Sequence, residues 1–248
     1  MKLLIINGSP KKNLGNTSYY LSFFIEGFES INGNECIMEY IGNASCKKIN
    51  IIKNKINECE NTLFAFPVFY HSMPGNVRKM MENLDSYVIN EKKFSFFIQQ
   101  MYINSERSKM LIEHLKSFCG HINVSYNGTA LKCAGPIASI FKKIQQSSFK
   151  KAFLNLLELV DEDFGKHLNF KKVTTDLKNL GIYFGKYGVF DDHFIQNYAK
   201  PLKMSKKSFI IHNFIAQNIY YKKLLKRNGS YDNRYDTPLQ KYISKEDI

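Results

Sequence analysis

Leu3-Leu4-Ile5-Ile6 puts four apolar residues in a row at the start of the chain, and Asn7-Gly8-Ser9-Pro10 stops the run at once. A run so short and so uniformly apolar suits a strand buried on both faces of a parallel sheet. After a polar, glycine-containing loop, Thr17 to Phe28 spaces Tyr20, Leu21, Phe24, Ile25 and Phe28 as one face of a helix. A strand covered on both faces requires further strands beside it and helices above and below, which narrows the chain to layered α/β architectures.

The following residues repeat this alternation. Glu35 to Ile41 reads as a second strand, and Lys48 to Cys59 as a helix carrying Ile49, Ile52 and Ile56 on one side. Thr62 to Phe66 is a third buried strand ended by Pro67, and Val77 to Val88 a helix with Met80, Met81 and Leu84 in register. Phe94 to Met101 gives a fourth strand, Glu106 to Cys119 a helix, and Ile122 to Leu131 a fifth strand. The expected fold is therefore α/β, a doubly wound parallel sheet of five strands. Ligands of such sheets bind beyond the carboxyl ends of the strands, so the loops at 7–17, 67–76 and 100–105 are where chemistry is expected. From about Pro136 the pattern turns helical over Ile137 to Leu159, Thr174 to Tyr187 and Ser208 to Leu225, followed by a polar stretch, Arg227 to Ile248. This predicts a core over 1–135 and a helical C-terminal extension over 136–248 packed on it.

Lys and Arg number 35 against 22 Asp and Glu, for a net charge of +13. That balance attracts phosphate-bearing ligands. The lysines are spread through many segments and no nucleic-acid motif accompanies them, so no nucleic-acid partner is expected. The five cysteines contain no C-x-x-C pair, so neither a zinc nor an iron–sulfur site is predicted. Scattered thiols and the lack of any apolar stretch of about 20 residues predict a cytoplasmic protein without a membrane partner.

The first loop runs Asn7-Gly8-Ser9-Pro10-Lys11-Lys12-Asn13-Leu14-Gly15-Asn16-Thr17-Ser18. Backbone N–H groups and hydroxyls at a helix N-terminus bind phosphate without a metal. Ser9, Thr17 and Ser18 supply hydroxyls, and Asn16 or Thr17 is expected to cap the helix. A Walker A loop would need a different glycine spacing and a Lys-Ser/Thr pair after it, which disfavours a nucleoside triphosphatase. A βα turn without a ligand stands as the plain alternative.

Gly8-Ser9-Pro10-Lys11-Lys12 with Gly15-Asn16-Thr17 resembles the phosphate loop of NADPH-dependent FMN reductases and related flavodoxin-like NAD(P)H oxidoreductases. The second loop, Pro67-Val68-Phe69-Tyr70-His71-Ser72-Met73-Pro74-Gly75-Asn76, resembles their Pro-Val-Tyr…Ser-Met-Pro segment, which lies against the isoalloxazine. Gln99-Gln100, Leu180-Gly181…Phe184-Gly185…Gly188…Phe190-Asp191 and Tyr220-Tyr221…Arg234 are similar to a subgroup with a helical C-terminal region. The resemblance implies a flavodoxin-like fold and FMN held by Ser9, Lys11, Asn16, Thr17 and Ser18 at its phosphate. It further implies Pro67, Val68, Phe69, Tyr70, Ser72, Met73, Gly75, Asn76 and Tyr102 around its ring. The implied activity passes electrons from NAD(P)H through FMN to a small acceptor such as a quinone or free flavin, in a homodimer. Where the subgroup carries Gly-Phe-x-Glu, this chain has Met101-Tyr102-Ile103-Asn104. A flavodoxin-type electron carrier and a flavodoxin-like binding protein without turnover are the two rival readings.

Overall fold

Lys2–Asn7 form strand β1, in which Leu3, Leu4 and Ile5 are fully buried, because neighbouring strands pair with both of its edges and helices cover both faces. The computed structural model describes residues 1–42, 45–84, 92–101, 105–133, 170–191, 195 and 226. The chain divides into two compact units, Met1–Lys203 and Met204–Ile248, and every element below belongs to the first. The expected helices Ile137 to Leu159 and Ser208 to Leu225, the stretch from Arg227, the last turn of Val77 to Val88, and Tyr102 all lie outside the described residues.

Along the chain β1 is followed by helix α1 (Asn16–Glu29), β2 (Glu35–Tyr40), α2 (Cys46–Glu58), β3 (Asn61–Pro67) and α3 (Gly75–Leu84). Then come β4 (Lys93–Gln99), α4 (Lys109–His121), β5 (Ser125–Lys132) and α5 (Phe170–Tyr187). All strand pairs are parallel, in the order β2-β1-β3-β4-β5. That is the flavodoxin-like order, reached by right-handed βαβ crossovers that place helices on both faces. Among the described residues no helix is long and apolar enough to cross a membrane.

Alternate residues of the strands serve the two layers. Leu3, Ile5, Leu63, Ala65, Phe97 and Ala130 pack with α1 and α5, whose inner faces bring Leu21, Phe24, Phe28, Leu177, Leu180 and Phe184. Each of the leucine, isoleucine and phenylalanine side chains removes about 1.5–3 kcal/mol worth of apolar surface from water. The two helices cross at a point where neither has a side chain. A Cβ on Gly27 would stand 2.0 Å from the Lys178 carbonyl oxygen, and one on Gly181 2.0 Å from the Phe24 carbonyl oxygen. After α5, the N–H of Phe190 donates to the Asn127 carbonyl (2.8 Å), and Asn127 Nδ2 donates to the Gly188 carbonyl (2.8 Å). These bonds lay the chain against β5 and blunt an edge strand.

On the opposite face Glu39, only 8% exposed, accepts hydrogen bonds from Lys48 and Lys55 of α2. Burial pushes its carboxyl up, yet the two lysines outweigh burial and hold it below the usual glutamate range. A group with a lowered folded value stabilises above its unfolded value of about 4.3, and that contribution fades as pH falls through the lower folded one.

Two outcomes are expected. Gly181→Ala should destabilise the protein by about 1–3 kcal/mol, since backbone of α1 has to move to admit the methyl group; a shift of the urea midpoint at unchanged slope measures it. Glu39→Gln should cost about 1.5–3 kcal/mol at pH 7. It should also flatten the loss of stability below pH 4.3, measured as urea midpoints from pH 7 to pH 3.

Candidate functional site

The first loop is organised by Asn7, the last residue of β1. Its Oδ1 accepts the Ser9 N–H at 2.9 Å and its Nδ2 donates to Ser18 Oγ at 2.9 Å. This Asx-type turn closes the loop on the first turn of α1. Ser18 in turn donates its hydroxyl proton to the Lys12 carbonyl at 2.6 Å. Ser9 is buried, and its Oγ lies 2.6 Å from where a Cβ on Gly15 would begin. Lys11 and Lys12 are exposed on the rim.

Helix α1 starts at Asn16, one residue before the expected Thr17. Gly15, not Asn16 or Thr17, is the N-cap, and no side chain caps it. Its first intrahelical bond runs from the Tyr19 N–H to the Gly15 carbonyl at 3.2 Å, so the N–H groups of Asn16, Thr17 and Ser18 precede the ladder. Thr17 is buried and donates its hydroxyl to Gln99 Oε1 of β4 at 3.2 Å. Its side chain therefore braces the first turn of α1 against β4.

The second loop begins where Pro67 ends β3 and the Val68 N–H donates to the Gln99 carbonyl at 2.7 Å. Phe69 and Ser72 exchange N–H···O bonds of 2.9 Å in both directions around Tyr70 and His71. Both central residues have left-handed backbones, φ 46° and 67°, the geometry of a two-residue turn that ordinarily takes Asn-Gly. Such conformations cost about 1–3 kcal/mol each for residues with a Cβ. The turn holds Tyr70 93% exposed and Phe69 50% exposed. Met73 and Asn76 are half-buried, while Ser72 and Gly75 are exposed at the start of α3.

Gly8 joins the two loops. Its N–H donates to the Ala65 carbonyl (2.8 Å), and its own carbonyl accepts from Asn76 Nδ2 (3.1 Å). A Cβ there would stand 2.1 Å from Val77 Cγ2, so no other residue fits without moving α3. In the third loop Met101 is 41% exposed, and Leu14 of the first loop is 87% exposed.

Sequence reasoning did not assign Asn7, Gln99, Gln100 or Lys132. Gln100 is buried, takes the Ser108 hydroxyl on its Oε1, and donates Nε2 to Cys133 Sγ at 3.3 Å. Lys132 is half-buried with its Nζ 5.8 Å from the centre of the Tyr20 ring. Burial pushes its ammonium below the ordinary lysine value, while Cys133 and Asp176 oppose that shift. Asn7-Gly8-Ser9 carried a readable Asx-turn signal. The amide and lysine contacts had none, since they join residues far apart in sequence.

The N-terminus of α1, the buried Ser9 and the exposed Lys11 and Lys12 thus stand at the same sheet edge as the turn that exposes Phe69 and Tyr70. No protein-family model matches the sequence, and no curated protein does. Among solved structures the chain is similar to an NADH:FMN oxidoreductase in its apo form, with 10% identity over 84% of this chain and 98% of that one, at a TM-score of 0.51. It is also similar to an FMN-dependent NADH-azoreductase from Bacillus anthracis in complex with FMN, with 11% identity over 54% and 88%, at 0.41. The Trp repressor binding protein from Bacillus subtilis shares 16% identity over 52% and 82%, at 0.44.

Thr17→Val should destabilise the ligand-free protein by about 1–3 kcal/mol, because Gln99 Oε1 is left buried without its donor. Urea denaturation of protein stripped of ligand checks this, and an unchanged midpoint would contradict the bracing role. Strand order, crossover layers and the likeness to the NADH:FMN oxidoreductase together show that the chain has the flavodoxin-like fold.

Proposed function

We propose that the chain is an FMN-dependent oxidoreductase that takes electrons from NAD(P)H and passes them to a small acceptor such as a quinone or free flavin. One observation carries this reading. The N-terminus of α1, left without a side-chain cap, opens at the same sheet edge as a strained turn that projects Phe69 and Tyr70.

Ser9, Lys11 and the N–H groups of Asn16, Thr17 and Ser18 would hold the phosphate, with the helix end contributing positive partial charge. Pro67, Val68, Phe69 and Tyr70 would border the ring, joined by Tyr102, which follows Met101. Bound FMN would supply the hydride and electron chemistry itself. The protein's task is to orient the ring and to stabilise negative charge. The N–H groups of Gly75 and Asn76 precede the first bond of α3, made by the Val77 N–H to the Pro74 carbonyl at 3.0 Å, and would supply that stabilisation. Ser72 and Met73 set the entry of that helix. The names of the azoreductase and the NADH:FMN oxidoreductase agree with this chemistry. A second copy of the chain would cover Leu14, Phe69, Tyr70 and Met101, completing the site as a cytoplasmic homodimer.

The test is the spectrum of the purified full-length protein, mass spectrometry of the ligand released by heat, and NADH or NADPH oxidation with a quinone acceptor. FMN as the released ligand and acceptor-dependent oxidation are expected; FAD or an adenine nucleotide as sole ligand would refute the reading. A combined Tyr70→Asn, His71→Gly variant tests the turn. It should gain about 1–3 kcal/mol of stability by relieving the left-handed residues. It should also lose acceptor turnover, because Tyr70, the more exposed of the two rings, is gone.

A further inference from the structure

We propose that Lys132 is a positioning residue for the phosphate end of the ligand, its ammonium lying beneath the first turns of α1 and strengthening their hold on an anion. The inference rests on the functional reading above. Lys132 ends β5 and stands opposite Gln99 in the parallel register, so both side chains leave the sheet on the face covered by α1 and α5. The Gln99 side chain on that face reaches Thr17 in the first turn of α1. Lys132 Nζ reaches the ring of Tyr20, one turn further along the same helix, 5.8 Å from its centre.

Among the described residues no hydrogen bond or ion pair engages this ammonium. Asp176 of α5 acts on it through space without pairing, and Lys172 bears on that carboxylate from one turn earlier. Cys133, next along the chain, acts on it through space, the neutral Gln99 stands opposite it on β4, and from α1 it meets the Tyr20 ring. An ammonium has three protons to donate, and partial burial makes a nearby anion favourable to it. Its field adds to the positive end of α1, and in a partly desolvated place that field is weakly screened. Since burial lowers the titration point of Lys132, its charge should disappear at a lower pH than the ordinary lysine value of about 10.4.

The experiment titrates the full-length, ligand-stripped protein with FMN and with riboflavin, which shares the ring and lacks the phosphate. In Lys132→Met the FMN dissociation constant should rise about tenfold, which is about 1.4 kcal/mol, and the riboflavin constant less than about twofold. Lys132→Arg should keep FMN affinity within about threefold. In the wild type the preference for FMN over riboflavin should shrink as pH rises from 7 toward the ordinary lysine value of about 10.4, and in Lys132→Met it should shrink less. Equal losses for the two ligands, or a pH profile identical in wild type and variant, would overturn the assignment and leave the functional reading standing. A wild-type protein with no preference for FMN would overturn the functional reading and this assignment with it. Should Lys132→Met not fold, the Arg variant and the wild-type pH profile decide.

Discussion

At Gly8 the backbone of the first loop passes so close to α3 that even a methyl group would collide with Val77. Its N–H and carbonyl are spent on Ala65 and Asn76, one in β3 and one in α3. The phosphate-sized loop and the aromatic loop are consequently built on one rigid junction, and their separation does not depend on either loop's own conformation. A site in which two parts of one ligand are held by two loops needs that constraint, because misplacement by about 1 Å weakens binding and reaction alike. The parallel sheet makes the junction available: β1 and β3 are neighbours, so the loops that leave their carboxyl ends start side by side.

A second lock lies under the third loop. Gln99 links β3's exit, through Val68, to α1, through Thr17. Gln100 is tied to β5 by its N–H to the Lys132 carbonyl at 3.0 Å and to Cys133 by its side chain. Buried amides whose donors and acceptors are satisfied specify one arrangement, since any slip strands a polar group in the core. The carboxyl edge is thus a polar, cross-linked layer resting on an apolar sheet. The α1–α5 crossing at Gly27 and Gly181 stiffens it further, because helices touching through backbone have little room to shift.

The strands were legible because burial on both faces leaves continuous apolar runs, as in Leu3 to Ile6 and Leu63 to Phe66. Boundaries were less legible where the chain departs from the period. β5 begins at Ser125, not Ile122, because Asn123 takes a left-handed φ of 57° and breaks the extended run. Helix α2 begins at Cys46, not Lys48, because Ser45 caps it by accepting the Lys48 N–H at 3.3 Å. Helix α5 begins at Phe170, four residues before the expected Thr174. Both site loops were legible from glycine, serine and proline at a strand end. The left-handed turn at Tyr70 and His71 was not, since neither residue type announces it. The orientation of Thr17 escaped as well, because a hydroxyl in a helix's first turn is equally able to face a ligand or the core until Gln99 is placed beside it.

That orientation bears on how α1 is kept open. A serine or threonine at the N-cap typically adds about 1 kcal/mol to a helix by accepting one of the first N–H groups. This chain has both hydroxyls within the first turn, yet Thr17 gives its proton to Gln99 and Ser18 gives its own to Lys12 while receiving one from Asn7. The cap position itself holds Gly15, which has no side chain to offer. Thr17 and Ser18, inside the first turn, tie that turn to β4 and to the first loop. Lys11 and Lys12 lie exposed in the loop that leads into it. An anion seated at this terminus would meet the N–H groups of Asn16, Thr17 and Ser18, which precede the helix ladder, and the positive end of the dipole.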